Sequence, residues 1–128
     1  CTSLTSVTFP EGVTTIELYA FKECTGLTSV TFPEWLITIG KGVFYGCTSL
    51  TSVTFPEWLN TIGGKAFFEC TSLTSITFPE GLTTIGKLAF YGCTGLTEVR
   101  ISQNTDVAVD AFDDDTILNN IFLEIIRY

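Results

Sequence analysis

Cysteines are the residues of this chain best suited to metal, redox or disulfide chemistry, and they are evenly spaced. Each is separated from the next by 23 residues, at Cys1, Cys24, Cys47, Cys70 and Cys93. Single cysteines at this interval lack the Cys-x-x-Cys spacing of metal and redox motifs. If successive repeats stack, parallel Cβ vectors suit packing better than a disulfide bridge. We therefore expect a buried column of reduced thiols, with Cys1 as an exception at the open edge; pairing and metal binding stay open as alternatives.

Other catalytic chemistry has little support in the sequence. The chain has no histidine, which removes the usual general base, the Ser-His and Cys-His nucleophile pairs and most zinc sites. Asp113, Asp114 and Asp115 form an acidic run, but they lack the spaced ligands and loop glycine of a calcium-binding loop. We expect no enzymatic activity, no cofactor and no metal, and we interpret the acidic run as part of a solvated cap.

Size and charge narrow the class of protein further. The chain has 128 residues, of which 45% are hydrophobic, enough for one domain with a buried core. Its formal net charge is -8, which argues against binding nucleic acid because phosphate backbones need Lys and Arg contacts. No apolar run approaches the roughly 20 residues of a membrane span. The chain begins without a signal segment, so we expect any targeting peptide to lie upstream.

The 23-residue interval extends to the apolar positions, which is typical of a repeat array. In the second repeat these positions are Leu27, Val30, Phe32, Pro33, Leu36, Ile39, Val43 and Phe44. Val and Phe alternate with small polar residues, which predicts a half-buried strand that ends at the proline. The segment around Ile39 predicts a second short strand. The Gly-rich stretch that follows leads into Val-Phe or Ala-Phe, where we expect one turn of helix.

These elements predict a leucine-rich-repeat solenoid, a right-handed coil stack with a parallel β-sheet face, short second strands and short helical turns. Five 23-residue repeats occupy residues 1–115, with Phe stacked on Phe inside. Residues 116–128 form a degenerate capping half-repeat, in which Leu118, Ile121 and Leu123 restart the pattern with one residue deleted. The N-terminal edge has no such cap. We therefore expect the array to continue upstream or to self-associate through this edge.

The motif C-x-x-L-x-x-V-x-F-P-x-x-[VL]-x-x-I-x-x-x-[AV]-F resembles the BspA-like class of leucine-rich repeats, and the resemblance covers nearly the whole chain. Proteins of this class are typically surface or secreted adhesins of bacteria and protists. The resemblance implies an extracellular or cell-surface location and binding to host proteins, other cells or matrix. It brings no catalytic residues.

Two neighbouring features form the predicted ligand surface. The outward positions of the central strands are small and polar: Ser29, Thr31, Ser52, Thr54, Ser75 and Thr77. Trp35 and Trp58 lie one repeat apart, in a turn just past the strand, where the first and fourth repeats have glycine. We expect both rings to be exposed, and exposed Trp is typical of binding hot spots. The prediction is a recognition module that binds a protein or glycan partner through the strand face and the Trp pair.

Other interpretations of these residues stay open. The Ser and Thr rows also suit a solvated β-surface, and two large rings one repeat apart can simply stack on each other. Regular hydroxyl rows resemble the flat arrays of ice-binding solenoids, and the array could also be only a spacer within a longer surface protein. Tyr45, Phe68 and Tyr91 follow the interior Phe of each repeat, and we interpret them as a partly covered aromatic shelf.

Overall fold

The chain winds into stacked coils that contribute strands to two parallel sheets. The computed structural model describes residues 1–108 and 110–112, and the backbone of a strand at 124–127. The strands are β1 (Ser6–Thr8), β2 (Thr15–Ile16), β3 (Ser29–Thr31), β4 (Thr38–Ile39), β5 (Ser52–Thr54), β6 (Thr61–Ile62), β7 (Ser75–Thr77), β8 (Thr84–Ile85), β9 (Glu98–Ile101), β10 (Asp106–Val107) and β11 (Glu124–Arg127). The sheet orders are β1-β3-β5-β7-β9-β11 and β10-β8-β6-β4-β2. The predicted parallel-strand solenoid is confirmed, including its short second strands.

The first sheet follows the predicted alternation of burial. In β5 the central Val53 is buried, whereas Ser52 and Thr54 are exposed. Equivalent residues of successive coils pair directly, so that Thr54 lies opposite Thr31 on one side and Thr77 on the other. Each outward hydroxyl is therefore about 4.8 Å, one strand spacing, from its equivalent.

The third side of each coil is a series of turns, and the predicted helical turn is wrong for every coil that the structure describes. The Phe44 N–H leaves its own coil and donates to the Ala66 carbonyl at 2.7 Å, whereas the Tyr45 N–H donates back to Gly42 at 3.1 Å. In an α-helix an N–H bonds the carbonyl four residues earlier in the same segment, and neither of these two bonds does. Gly42 and Gly46 also adopt left-handed φ values of 65° and 73°, which a right-handed helix excludes.

Two columns of phenylalanine fill the interior. One follows the first sheet and contains Phe9, Phe32, Phe55 and Phe78, and the other belongs to the third side and contains Phe21, Phe44, Phe67, Phe90 and Phe112. Neighbouring rings within a column stack with centroids 5.0 to 6.2 Å apart. Between columns the rings meet edge to face, as Phe55 does with Phe67 at 87°. Both arrangements are favourable for aromatic pairs, and the predicted stacking of Phe on Phe is confirmed.

Three of the cysteines form the predicted buried thiol column. Cys47, Cys70 and Cys93 are buried thiols. Each thiol donates to a carbonyl 26 residues earlier in the chain, as Cys70 does to Phe44 at 3.2 Å. The column is therefore packed and also hydrogen-bonded.

The prediction of reduced thiols is wrong for the first two cysteines. Cys1 and Cys24 form a disulfide across a Cα–Cα distance of 4.5 Å. The sulfur of Cys24 therefore differs from those of Cys47, Cys70 and Cys93, and Cys1 is the residue that we expected to depart from the column.

Buried polar residues replace part of the apolar pattern in the fifth coil. Ser102 stands where earlier coils have proline, and its hydroxyl accepts a hydrogen bond from the Asn104 N–H at 3.2 Å. The buried Thr105 hydroxyl donates to the Leu82 carbonyl at 2.8 Å. Both residues therefore keep the turn closed without the ring of a proline or the aliphatic side chain of the earlier coils.

The first sheet gains its last described strand from the C-terminal segment. β11 pairs in parallel with β9, with Glu124 opposite Glu98. The predicted restart at Leu118, Ile121 and Leu123 and the acidic run at 113–115 lie outside the described residues. In the part of the chain that is described, no helix is long and apolar enough to cross a membrane.

Candidate recognition surface

Trp35 and Trp58 project from the turns that connect the two sheets, and the prediction that both are exposed is confirmed. Their side chains are 54% and 55% exposed. The rings stack on each other, with centroids 6.3 Å apart and planes 9° apart. The residues that follow them, Leu36 and Leu59, are fully buried. The turn therefore anchors itself through leucine and holds the Trp outside.

Glycine occupies the equivalent turn position in the coils on both sides of the Trp pair. A Cβ placed at Gly12 or Gly81 would meet no atom within 4 Å. Each Trp ring thus has one face against its partner and one face towards open space. The outer face of Trp58 looks towards Gly81, and that of Trp35 towards Gly12.

An open groove of about 890 Å³ runs between Trp58 and the fourth coil. It brings Trp58 together with most of the predicted strand-face residues, namely Ser52, Thr54, Ser75 and Thr77. A second groove of about 490 Å³ contains Thr31 and again Thr54. Ser29 lies in β3 on the same face but lines neither groove.

Trp35 lines a different groove, on the other side of the Trp pair. This groove of about 510 Å³ contains both Trp rings with Thr14, Ile37 and Asn60. Trp58 is therefore shared between the strand face and the second sheet, whereas Trp35 is not among the residues that line the two strand-face grooves. The sequence prediction placed both rings beside the Ser and Thr rows, and the geometry favours Trp58 for that role.

The hydroxyls of the strand face are free to bind water or a partner. None of the six predicted Ser and Thr residues has a hydrogen-bonded side chain within the described part of the chain. Their rows end at the fifth coil, where Arg100 Nε donates to Glu98 Oε1 at 3.2 Å. An exposed ion pair of this kind adds little stability, and it interrupts the regular hydroxyl array that adsorption to ice would need.

The grooves also contain glutamates that the sequence reasoning missed. Glu57 and Glu80 line the groove beside Trp58, and Glu34 and Glu57 line the second groove. All three are exposed and none forms a salt bridge with another described residue. The signal for them was the Pro-Glu pair that recurs at the same position in the first four repeats.

A second exposed aromatic column lies on the third side of the coils. Tyr45 stacks on Phe68 at 4.8 Å, and Phe68 stacks on Tyr91 at 5.5 Å. Tyr45 and Phe68 are half-buried and Tyr91 is 41% exposed. The Lys22 ammonium lies 5.2 Å from the centroid of the Tyr45 ring. None of the three grooves described above is lined by a residue of this column.

Comparison with known proteins decides the family. The BspA type leucine rich repeat region matches residues 1–119 as six copies. The chain belongs to the BspA-type leucine-rich repeat family. The resemblance seen in the sequence motif is therefore confirmed. Among curated proteins, none matches the sequence significantly.

Several solved structures of other proteins are similar to this chain. The T. pallidum leucine-rich repeat protein is 30% identical with a TM-score of 0.84, and the match covers 97% of this chain and 56% of that protein. A leucine-rich cell surface protein from Faecalibacterium prausnitzii A2-165 is 32% identical with a TM-score of 0.83, covering 95% and 31%. The pneumococcal vaccine antigen PcpA, 21% identical with a TM-score of 0.71 over 95% and 28%, shares the fold. The chain thus spans about half or less of these proteins.

The BspA-type coil of this chain separates a constant frame from one variable turn position. Leucine and isoleucine of the turn and second strand are buried in every coil from the second to the fourth. The residue after Pro-Glu, in contrast, is Gly12, Trp35, Trp58 and Gly81 in successive coils. Glycine and tryptophan therefore both occur at this position above the same buried leucine and isoleucine.

Among the described residues, no group of three or more His, Cys, Asp or Glu side chains is arranged to hold a metal.

Proposed function

We propose that this BspA-type array is a non-catalytic recognition module that binds a protein or glycan partner through its strand face and the adjoining Trp pair. One observation supports the proposal above all others. Two stacked Trp rings stand more than half exposed beside an open groove lined by unbonded hydroxyls. Tryptophan is the residue type most enriched at binding hot spots, where burial of its ring supplies much of the affinity.

The remainder of the surface fits the rim of such a site. Ser52, Thr54, Ser75 and Thr77 offer donors and acceptors at one strand spacing. They surround Trp58 in the groove, which matches the pattern of an apolar anchor inside a polar rim. Because these side chains are exposed and make no hydrogen bonds to other described residues, binding would not break the contacts that hold the coil together.

We also propose a location at the cell surface or outside the cell. One structural relative, from Faecalibacterium prausnitzii, is a cell surface protein. The Cys1–Cys24 disulfide is independent support, because disulfides persist mainly in oxidising compartments. A selective label for surface-exposed protein, applied to intact cells of the source, tests this location directly.

The test of function is binding of the chain to immobilised matrix proteins and to a panel of glycans. For any partner that binds, Trp58→Ala should weaken the affinity by about 5- to 150-fold, which corresponds to about 1 to 3 kcal/mol. Tyr91→Ala is the matched control, because Tyr91 is also an exposed aromatic in a stacked column. Equal losses in Trp58→Ala and Tyr91→Ala, or no loss with Trp58→Ala and Trp35→Ala, would place the site elsewhere.

A further inference from the structure

The groove beside Trp58 has a characteristic charge as well as a shape. Resting on the function proposed above, we propose that it binds a positively charged side chain of a partner protein, an arginine or a lysine. The cation lies against the outer face of Trp58, close to the carboxylates of Glu57 and Glu80. The partner segment then continues along the strand face, across Ser75 and Thr77.

A ladder of carboxylates lies along the turn next to the Trp pair. It consists of one exposed glutamate in each of the first four coils: Glu11, Glu34, Glu57 and Glu80. Successive coils are one strand spacing apart, so like charges stand side by side and repel each other. None of the four forms a salt bridge in the described part of the chain. A cation placed between two of them relieves this repulsion.

The described part of the chain supplies no cation to this region. No lysine or arginine is among the residues that line the three grooves around the Trp pair. The lysines follow the second strands instead, on the third side of the coils: Lys22, Lys41, Lys65 and Lys87. With a net charge of -8 for the whole chain, this acidic region is complementary to a partner that brings a positive charge.

The Trp58 ring is placed to receive such a cation. Its inner face is covered by Trp35 at 6.3 Å, and its outer face looks over Gly81, where no atom lies within 4 Å of an added Cβ. The face of an indole ring is the best cation–π acceptor among side chains. A guanidinium can lie flat on it and still direct its N–H donors to a carboxylate. The same carboxylates would repel anionic glycans and phosphates. A neutral sugar would stack on the ring without an attraction between charges.

The chain contains two Trp residues, and both belong to this pair. Tryptophan fluorescence therefore reports on this region alone. The probes are a blocked Gly-Ser-Arg-Gly-Ser-Arg-Gly peptide and the same peptide with glutamine for both arginines. We expect the arginine peptide to change the fluorescence saturably and to bind about tenfold or more tightly than the glutamine peptide. Its affinity should fall as salt is added, because salt screens exposed charges.

Charge-matched variants locate the effect in the groove. Glu57→Gln combined with Glu80→Gln should weaken binding of the arginine peptide by about tenfold. Glu23→Gln combined with Glu69→Gln removes the same charge from exposed residues on the third side, and should leave the affinity within about twofold. Because all four side chains are exposed, both double variants should fold normally.

The outcomes separate this inference from the function on which it rests. Equal affinity for the two peptides, or equal losses in the two double variants, would contradict the binding of a cation in this groove. Neither result would contradict a partner whose binding depends on Trp58. Full affinity of Trp58→Ala for that partner would instead overturn the recognition site. If sedimentation shows self-association that Glu57→Gln with Glu80→Gln abolishes and that the arginine peptide competes away, the occupant is a second copy with its lysines, and the partner-protein assignment is wrong.

Discussion

Two aromatic stacks follow the same coils, one inside the solenoid and one outside it. Phe32 and Phe55 stack at 5.8 Å and 12°, and Trp35 and Trp58 stack at 6.3 Å and 9°. The geometry is nearly the same because both stacks are set by the coil repeat. Their exposure is not: Phe55 is 8% exposed and Trp58 is 55% exposed. The repeat thus dictates stacking, and the side of the coil determines whether an aromatic surface stabilises the fold or remains available to a partner.

Truncation of the inner stack should have the largest effect on stability. Phe55 contacts Phe32 and Phe78 face to face and Phe67 edge to face. Phe55→Ala removes all of these contacts and leaves a cavity, so we expect a loss of about 3 to 5 kcal/mol in the free energy of unfolding. A denaturant titration measures it. A loss below about 1 kcal/mol would show that the Phe column is not what holds neighbouring coils together.

Truncation of the outer stack should cost much less. Trp58→Ala removes a ring that is already largely in water, so the loss is mainly the stacking with Trp35, about 0.5 to 1.5 kcal/mol. A double-mutant cycle with Trp35→Ala isolates that coupling energy. If Trp58→Ala destabilised the chain as much as Phe55→Ala does, the Trp pair would be a structural element, and its exposure would carry no functional meaning.

The two stacks also show how far the sequence alone could go. The strand face was predictable because a period of two residues places Val53 inside and Thr54 outside without knowledge of any neighbour. The third side was not predictable from the sequence. The Phe44 N–H can donate within its own coil or to the next coil, as it does here, and the outcome depends on which residues of each turn have left-handed φ values. Tyr19 and Glu23 adopt left-handed φ values of 54° and 58°, and neither residue type indicates a left-handed backbone from the sequence.

The candidate surface was predictable in part for the same reason. The exposure of Trp35 and Trp58 followed from their replacing glycine at one turn position. The role of Glu57 and Glu80 did not follow, because a glutamate after proline is ordinary in a turn until its neighbours in adjacent coils are known. The Cys1–Cys24 bridge likewise did not follow, because residue spacing alone does not fix the relative orientation of two cysteine side chains in neighbouring coils.

The interior of the solenoid should also be sensitive to alkaline pH through its thiols. Burial raises the pKa of Cys47 from its usual 9.0 to about 11, and burial together with the neighbouring thiols raises the pKa of Cys70 well above 9.0. The folded state keeps these thiols neutral while the unfolded chain ionises them. Their contribution is therefore full below about pH 9; that of Cys47 is lost as the pH rises from 9 through 11, and that of Cys70 also falls as the pH rises above 9.

Stability measured at pH 8 and at pH 10.5 tests this dependence. The loss between the two pH values should be smaller in Cys47→Ala than in the unaltered chain, because the variant has one fewer thiol that ionises on unfolding. Alkylation should also be slow for Cys47, Cys70 and Cys93 until denaturant is added, since the reactive thiolate is disfavoured. Fast alkylation in the folded chain would mean that the coils open locally.

The smallest effect on stability is expected at Thr54, the residue that precedes Phe55 in the chain. Its side chain is exposed and has no hydrogen bond within the described residues, so Thr54→Ala should change the free energy of unfolding by no more than about 0.5 kcal/mol. Losses comparable to that of Phe55→Ala would mean that the two faces of β5 are assigned the wrong way round.

Thr54 also lines both strand-face grooves. Thr54→Val, which keeps the branched shape and removes the hydroxyl, should therefore weaken partner binding by a few-fold, the effect of one neutral hydrogen bond, while Thr8→Val on the outermost strand should not.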